Sequence, residues 1–190
     1  MSDAAASRPP AGAGAPVVRF AAPWGLMLRS ATALATLVLF GMPFAMWHAA
    51  PGRESSAVPL AFFAAAIVLI GVASLFMIRG YRLDAAGLHV ERLLWADRIA
   101  LDGLRGAWAD HQATARSLRL FGNSGFFCIA GLFSNRKLGR YRAFATDPQR
   151  AVVLDLAPRK IVVTPDDPWA FLDALRHRFP QVEIGVKPYA

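Results

Sequence analysis

Six cations and a run of aromatic residues form the part of this sequence richest in binding chemistry. Between Asp110 and Asp147 no acidic residue occurs, and Arg116, Arg119, Arg136, Lys137, Arg140 and Arg142 all fall in that interval. Leu118, Phe121, Phe126, Phe127, Ile129, Leu132 and Phe133 are interleaved with them, as are Gly122, Gly125 and Gly131. Such a surface can rest on anionic phospholipid head groups, at roughly 1 kcal/mol per cation near the bilayer, or dock a protein. The plainer alternative divides the same residues between a filled core and a solvated rim. Arg140, Arg142 and Phe144 share one strand face by the period of two.

Catalytic combinations are weaker. Cys128 sits in the apolar run FFCIAG, a setting that raises a thiol pKa and leaves it inert. Asp110-His111 with Ser117 or Ser124 supplies the residue types of a triad, but no nucleophile elbow surrounds either serine. His89, His111 and His177 lack metal-ligand spacing. The single cysteine excludes an internal disulfide and a cysteine-based zinc site. FGNSG (121–125) lacks the Gly-Lys-Ser/Thr ending of a phosphate cradle and reads as a turn. The expectation is a non-catalytic chain with no cofactor and no metal, whose basic interval does not meet nucleic acid.

The elements that must position these residues follow from composition. The chain has 190 residues, a formal net charge of +8 and 55% hydrophobic residues. Its mean hydropathy is +0.36. Charged residues are only 18%, against about 25% in soluble domains, which excludes extensive disorder. The apolar excess lies in two blocks free of Lys, Arg, Asp and Glu, residues 30–50 and 57–78. Each is roughly 31–33 Å long as a helix and matches the hydrocarbon core of a bilayer. Pro51 to Ser56 is the only link, so a tight transmembrane hairpin is predicted. Pro43 should kink the first span. Arg8, Arg19 and Arg29 precede the hairpin and Arg79, Arg82 and Arg92 follow it, so both termini should face the cytoplasm. No small-residue cleavage site follows the first block, which argues against a cleaved signal peptide. The reading is therefore a flexible arm over 1–23, a helical hairpin over 24–79, a cytoplasmic domain over 80–180 and a tail over 181–190.

Strand signals dominate the domain. YRLD (81–84) and LHVERLL (88–94) flank a turn at Ala85-Ala86-Gly87, and RIAL (98–101) follows a turn at Ala96-Asp97. LRGAWADH (104–111), GRYRAFAT (139–146), AVVLDLA (151–157) and KIVVT (160–164) continue the pattern, with Val152, Leu154 and Leu156 on one face. A helix closes the domain: Asp167 is its N-cap, Pro168 its first residue, and Trp169, Leu172, Leu175 and Phe179 its apolar face. Arg176, His177 and Arg178 suit its C-terminal end.

Three of these stretches, YRLDAAGLHVERLLWADRIAL (81–101), GLFSNRKLGRYRAFATD (131–147) and KIVVTPDDPWAFLDAL (160–175), carry a likeness. They resemble the bacterial pleckstrin-homology-like domains that stand beside transmembrane helices in inner-membrane proteins. The resemblance covers about residues 80–180. It implies a PH-like antiparallel barrel or sandwich of about seven strands, capped by a C-terminal α-helix and used for binding or scaffolding. The first hairpin departs from the phosphoinositide-binding relatives, because its loop is Ala85-Ala86-Gly87 rather than basic, so phosphoinositide recognition is not implied. The functional expectation is a bacterial inner-membrane scaffold binding a protein partner. The alternatives are a sensor or clamp for anionic lipid head groups and an accessory subunit of a transporter or envelope enzyme complex. A second copy of the chain is a further candidate partner.

Overall fold

The protein is described from a computed structural model covering residues 17–49, 57–157 and 159–185. The expected arm over residues 1–16, the Pro51–Ser56 connection, the breaker Pro158 and the tail residues 186–190 lie outside those described.

Two apolar helices open the structure, α1 (Leu26–Ala49) and α2 (Ala57–Leu75). Both are long and apolar enough to cross a membrane. Their large side chains, among them Leu37, Val38, Val68 and Leu69, are mostly exposed rather than buried in protein. They pack on each other, with the rings of Phe40 and Phe63 6.2 Å apart. Against the expected spans 30–50 and 57–78, α1 starts earlier and α2 stops earlier. The Gly25 N–H donates to Thr146 O, so α1 begins against the domain, with Arg29 N–H closing its first turn on Gly25 O. At the end of α2, Phe76 N–H and Met77 N–H donate to the carbonyls of Ala73 and Ser74, three residues back, which tightens the helix to a stop.

The strands are β1 (Val18–Ala21), β2 (Gly80–Asp84), β3 (Gly87–Glu91), β4 (Ala96–Ile99), β5 (Leu104–Ala109), β6 (Leu118–Phe126), β7 (Cys128–Asn135), β8 (Gly139–Ala145), β9 (Val152–Leu156), β10 (Arg159–Val163) and β11 (Glu183–Ile184). One sheet has the order β1-β2-β3-β4, the other β11-β5-β9-β10-β8-β7-β6. The second sheet is mixed rather than purely antiparallel, since β10 pairs parallel to β8 and β11 parallel to β5. After β8 the chain turns at Pro148–Arg150 and leaves one strand position open, which β10 returns to fill between β8 and β9.

Four expectations change. Val18–Ala21, assigned to the flexible arm, is a strand of the domain: it pairs with β2, and Phe20 stacks edge-on to Phe171 at 5.1 Å. The tail likewise supplies β11. Phe121–Gly125, read as a turn, lies inside β6, because Gly122 and Gly131 face each other across the β6–β7 pair with no room for side chains. Furthermore, Ala96-Asp97 belongs to β4, and the chain turns instead at Arg92–Trp95, where Arg92 N–H donates to Trp95 O.

The C-terminal helix α3 (Pro168–Arg178) forms as expected, with the Asp167 carboxylate accepting from Trp169 N–H and Ala170 N–H at 3.0 Å each. Its buried stripe is Phe171, Leu172 and Leu175, while Trp169, at the stripe's margin, is exposed. That stripe, Leu83, Leu88 and Val90 of the small sheet, and Val152, Leu154, Ile161 and Val163 of the large one make the main core. The alternate residues Val153, Val162, Ala143 and Tyr141 join a second cluster with Trp108 and Phe133, as the period of two requires. A buried polar bridge ties the sheets together: the Tyr81 hydroxyl donates to Phe144 O at 2.6 Å and accepts from Thr164 N–H at 3.2 Å.

Candidate functional site

The six cations are not brought into one cluster. Arg136 and Lys137 occupy the β7–β8 turn, at the end of that hairpin remote from Ala145 and the root of α1. Lys137 Nζ lies 2.8 Å from the carboxylate of Asp110, which is buried. Asn135 fixes this turn: its Oδ1 accepts from Lys137 N–H and Leu138 N–H, and its Nδ2 donates to Ala113 O and Ser117 Oγ. Arg140 joins Arg105, Arg159 and Lys160 around Asp155 in an open groove of about 200 Å³. Arg105, Arg159 and Lys160 escape a reading of the 110–147 interval; only the pairing of β8 with β10 and of β5 with β9 brings them there.

Arg142 is exposed, with its guanidinium 4.8 Å from the Phe144 ring centroid, so cation and ring share a face as the strand period predicts. Arg119 is exposed on β6. Arg116 has a left-handed φ of 51° and lines a groove of about 420 Å³ with Met27, His111, Phe133 and Tyr141.

The triad residue types do not assemble as one. The Asp110 carboxylate accepts from Gln112 N–H and meets Lys137. Ser117 Oγ accepts from the Tyr141 hydroxyl at 2.7 Å and from Asn135. Burial pushes the Tyr141 hydroxyl above its ordinary pKa, partly offset by that bond to Ser117. Burial likewise raises the Cys128 thiol, against the pull of Arg92 and Asn123. Among the described residues no group of His, Cys, Asp and Glu is placed to hold a metal ion. Asp84 caps the β2–β3 turn by accepting from Ala86 N–H, and it meets His89 and Arg82. Partial burial opposes its charge, but these three partners outweigh it and hold the carboxyl below its usual range.

What the sheet leaves open is apolar. β6 is one edge of the large sheet, β11 the other. Leu118, Leu120 and Phe121 on it are 73%, 50% and 80% exposed, and Leu132 beside Phe121 is also exposed. The strand is buttressed at one end: α1 packs against β6, the Phe127 N–H donates to Thr32 Oγ1 at 3.3 Å, and the Phe127 ring meets Trp24 edge-on at 5.7 Å. Phe127 alone joins β6 to β7 and adopts φ 61°, a strained position for an aromatic residue that its contacts with α1 hold in place. The interval's apolar residues therefore divide. Ile129 and Phe133 are core, whereas Leu118, Phe121 and Leu132 are surface.

Compared with known proteins, residues 79–179 match the sequence profile of a family described as Bacterial PH domain. Neither a curated protein nor a solved structure matches the chain.

Proposed function

Because the chain belongs to the bacterial PH domain family, and carries two apolar helices rooted in that domain, we propose that it is a two-span protein of the bacterial inner membrane. Its PH domain lies on the cytoplasmic side and holds a protein partner there without catalysing a reaction. The observation that carries this reading is the open edge of β6. A long apolar edge strand with unpaired backbone groups is a template for another strand, and strand addition is an established mode of protein recognition. The helices keep this edge at the membrane, so a modest contact gains from high local concentration.

The cations support the protein reading over a lipid clamp. Arg136 and Lys137 sit at the hairpin end remote from the root of α1, and Lys137 is paired with Asp110. Arg140 faces Asp155, Arg105 and Arg159. Arg119 on β6 and Arg116 just before it lie along the β6 edge and would meet acidic groups on a partner, while Arg142 stands two strands in, on β8.

The test is a photo-crosslinking residue at Leu120 or Phe121 of the full chain in intact bacterial membranes. A discrete protein adduct at these positions, absent when the crosslinker stands at Ala85, supports the reading. Adducts to phospholipid alone would favour the lipid clamp and overturn it. An adduct to a multi-span protein would make the chain an accessory subunit, and an adduct to itself a homo-oligomer.

A further inference from the structure

The turn between β3 and β4 is apolar at its tip, and the register says where that tip lies. β2 starts at Gly80, shortly after α2 ends at Leu75, and pairs Gly80 with Glu91. Arg79 N–H donates to Glu91 O at 2.8 Å. Residues beyond Glu91 therefore overrun the start of β2 and run alongside the end of α2. The contacts agree: the Arg92 guanidinium donates to Phe76 O, and the Trp95 ring meets the Phe76 ring edge-on at 5.3 Å. The turn is rigidly built. Arg92 N–H closes it on Trp95 O at 2.8 Å, and the Arg92 side chain, almost wholly buried, bonds Asp97 at 2.8 Å through Nε. Held outward by this frame are Leu93 and Leu94, the latter 73% exposed, with Trp95 partly exposed beside them. Leu94 leaves most of its apolar surface uncovered within the fold, and Leu93 is 41% exposed beside it.

We propose that Leu93, Leu94 and Trp95 form a wedge that inserts into the bilayer interface beside the end of α2. The occupant is the lipid surface rather than another protein, because the tip is continuous with the helix that enters it. Tryptophan suits the head-group boundary, leucine the acyl region below it, and the exposed Arg79 beside the tip complements anionic phosphates. With the wedge and the root of α1 fixed at two separate points, the domain cannot pivot freely on its tether. Its orientation to the membrane is thereby set. The opposite turn at Ala85-Ala86, one strand length away along β2 and β3, stays in water.

The inference rests on the proposal that α1 and α2 span the bilayer, so the experiment reads both. The full chain is reconstituted in phosphatidylethanolamine/phosphatidylglycerol vesicles, and a nitroxide is attached at Leu94→Cys, Ala85→Cys or Val68→Cys. Cys128, buried at 1% exposure, stays in place, and the unsubstituted chain gives the background labelling. Insertion predicts that the label at 94 is several-fold more accessible to dissolved oxygen than to an aqueous nickel reagent, as at 68, with the reverse at 85. A label at 68 in lipid and one at 94 in water would overturn the wedge and leave the spans standing. A label at 68 in water overturns both. Leu94→Glu, which alters only an exposed side chain, should keep the fold and restore domain mobility, read as sharpened spectra from a label at 85; unchanged spectra there would also count against the wedge.

Discussion

β9 and β6 are strands of one sheet, both rich in large apolar residues, and they meet opposite fates. β9 lies between β5 and β10, and Val152, Val153 and Leu154 are fully buried on its two faces. β6 lies at the edge, and Leu118, Leu120 and Phe121 are exposed. Residue type does not separate them; place in the strand order does. The inner strand can be covered by helix α3 and the small sheet on one side and by the Trp108 cluster on the other. The edge strand runs out beyond both. The sheet thus divides into a centre that holds the domain together and an edge available for contact, and substitutions should read out that division.

The largest effect is expected at the centre. Leu154→Ala removes a fully buried side chain from the main core and should cost about 2–5 kcal/mol in denaturant melts of the chain in mild detergent. Leu120→Ala on the edge should stay within about 0.5 kcal/mol. Equal costs at the two positions would break the comparison.

The edge strand and its neighbour β7 meet at two points with no room for a side chain, Gly122 and Gly131. Gly131 has φ +150°, and a Cβ there would stand 2.1 Å from Phe121 O. Gly131→Ala should cost about 1–3 kcal/mol through backbone strain and distort the β6–β7 pair, whereas Ser134→Ala on the same strand should not. Hydrogen-exchange protection across β6 and β7 checks this. Loss confined to those two strands sharpens the comparison, and global loss would mean that the edge is part of the cooperative core.

Next in size is the Tyr81 bridge between the sheets. Its hydroxyl is fully buried and pushed up to about 12 by desolvation, against the lowering effect of its bonds to Thr164. In the unfolded chain the same group titrates near 10. The folded state therefore keeps the proton longer, so this group's contribution is intact below pH 10 and falls as pH rises from about 10 to 12, by up to roughly 3 kcal/mol. Tyr81→Phe should cost about 1 kcal/mol at neutral pH and flatten that alkaline limb. An unchanged limb would place the titration elsewhere.

These features differ in how far the sequence displays them. The helical spans, the β2–β3 hairpin, β9, β10 and the Asp167-capped helix are visible because each rests on local signals: unbroken apolar length, alternation, a glycine turn, a capping aspartate followed by proline. β6 and β7 are obscured by their glycines and by the charge pattern of the interval, where Gly122 and Gly131 imitate turns although they serve close strand approach. β1 is hidden for another reason. Four residues ahead of a long apolar helix carry too short an alternation to register, and only pairing with β2, some sixty residues on, makes them a strand. The groove of Arg140 with Arg105, Arg159 and Lys160 has the same origin, since cations from three strands meet only through register. The wedge at Leu93–Trp95 is missed because a strand expected over 88–94, with its turn at Ala96-Asp97, takes in Leu93 and Leu94.

The smallest stability effect is the most discriminating for function. Phe121 is 80% exposed, so Phe121→Lys removes almost no contact within the fold and should leave the melting temperature unchanged. If β6 is the docking edge, a lysine there sets a solvated charge on the edge, the device by which edge strands commonly resist pairing. The protein adduct formed from a crosslinker at Leu120 should then disappear while the fold and the membrane attachment persist. A stable variant that still forms that adduct would show that the exposed apolar residues of β6 do not make the contact. The edge would then differ from the centre in burial alone, and not in role.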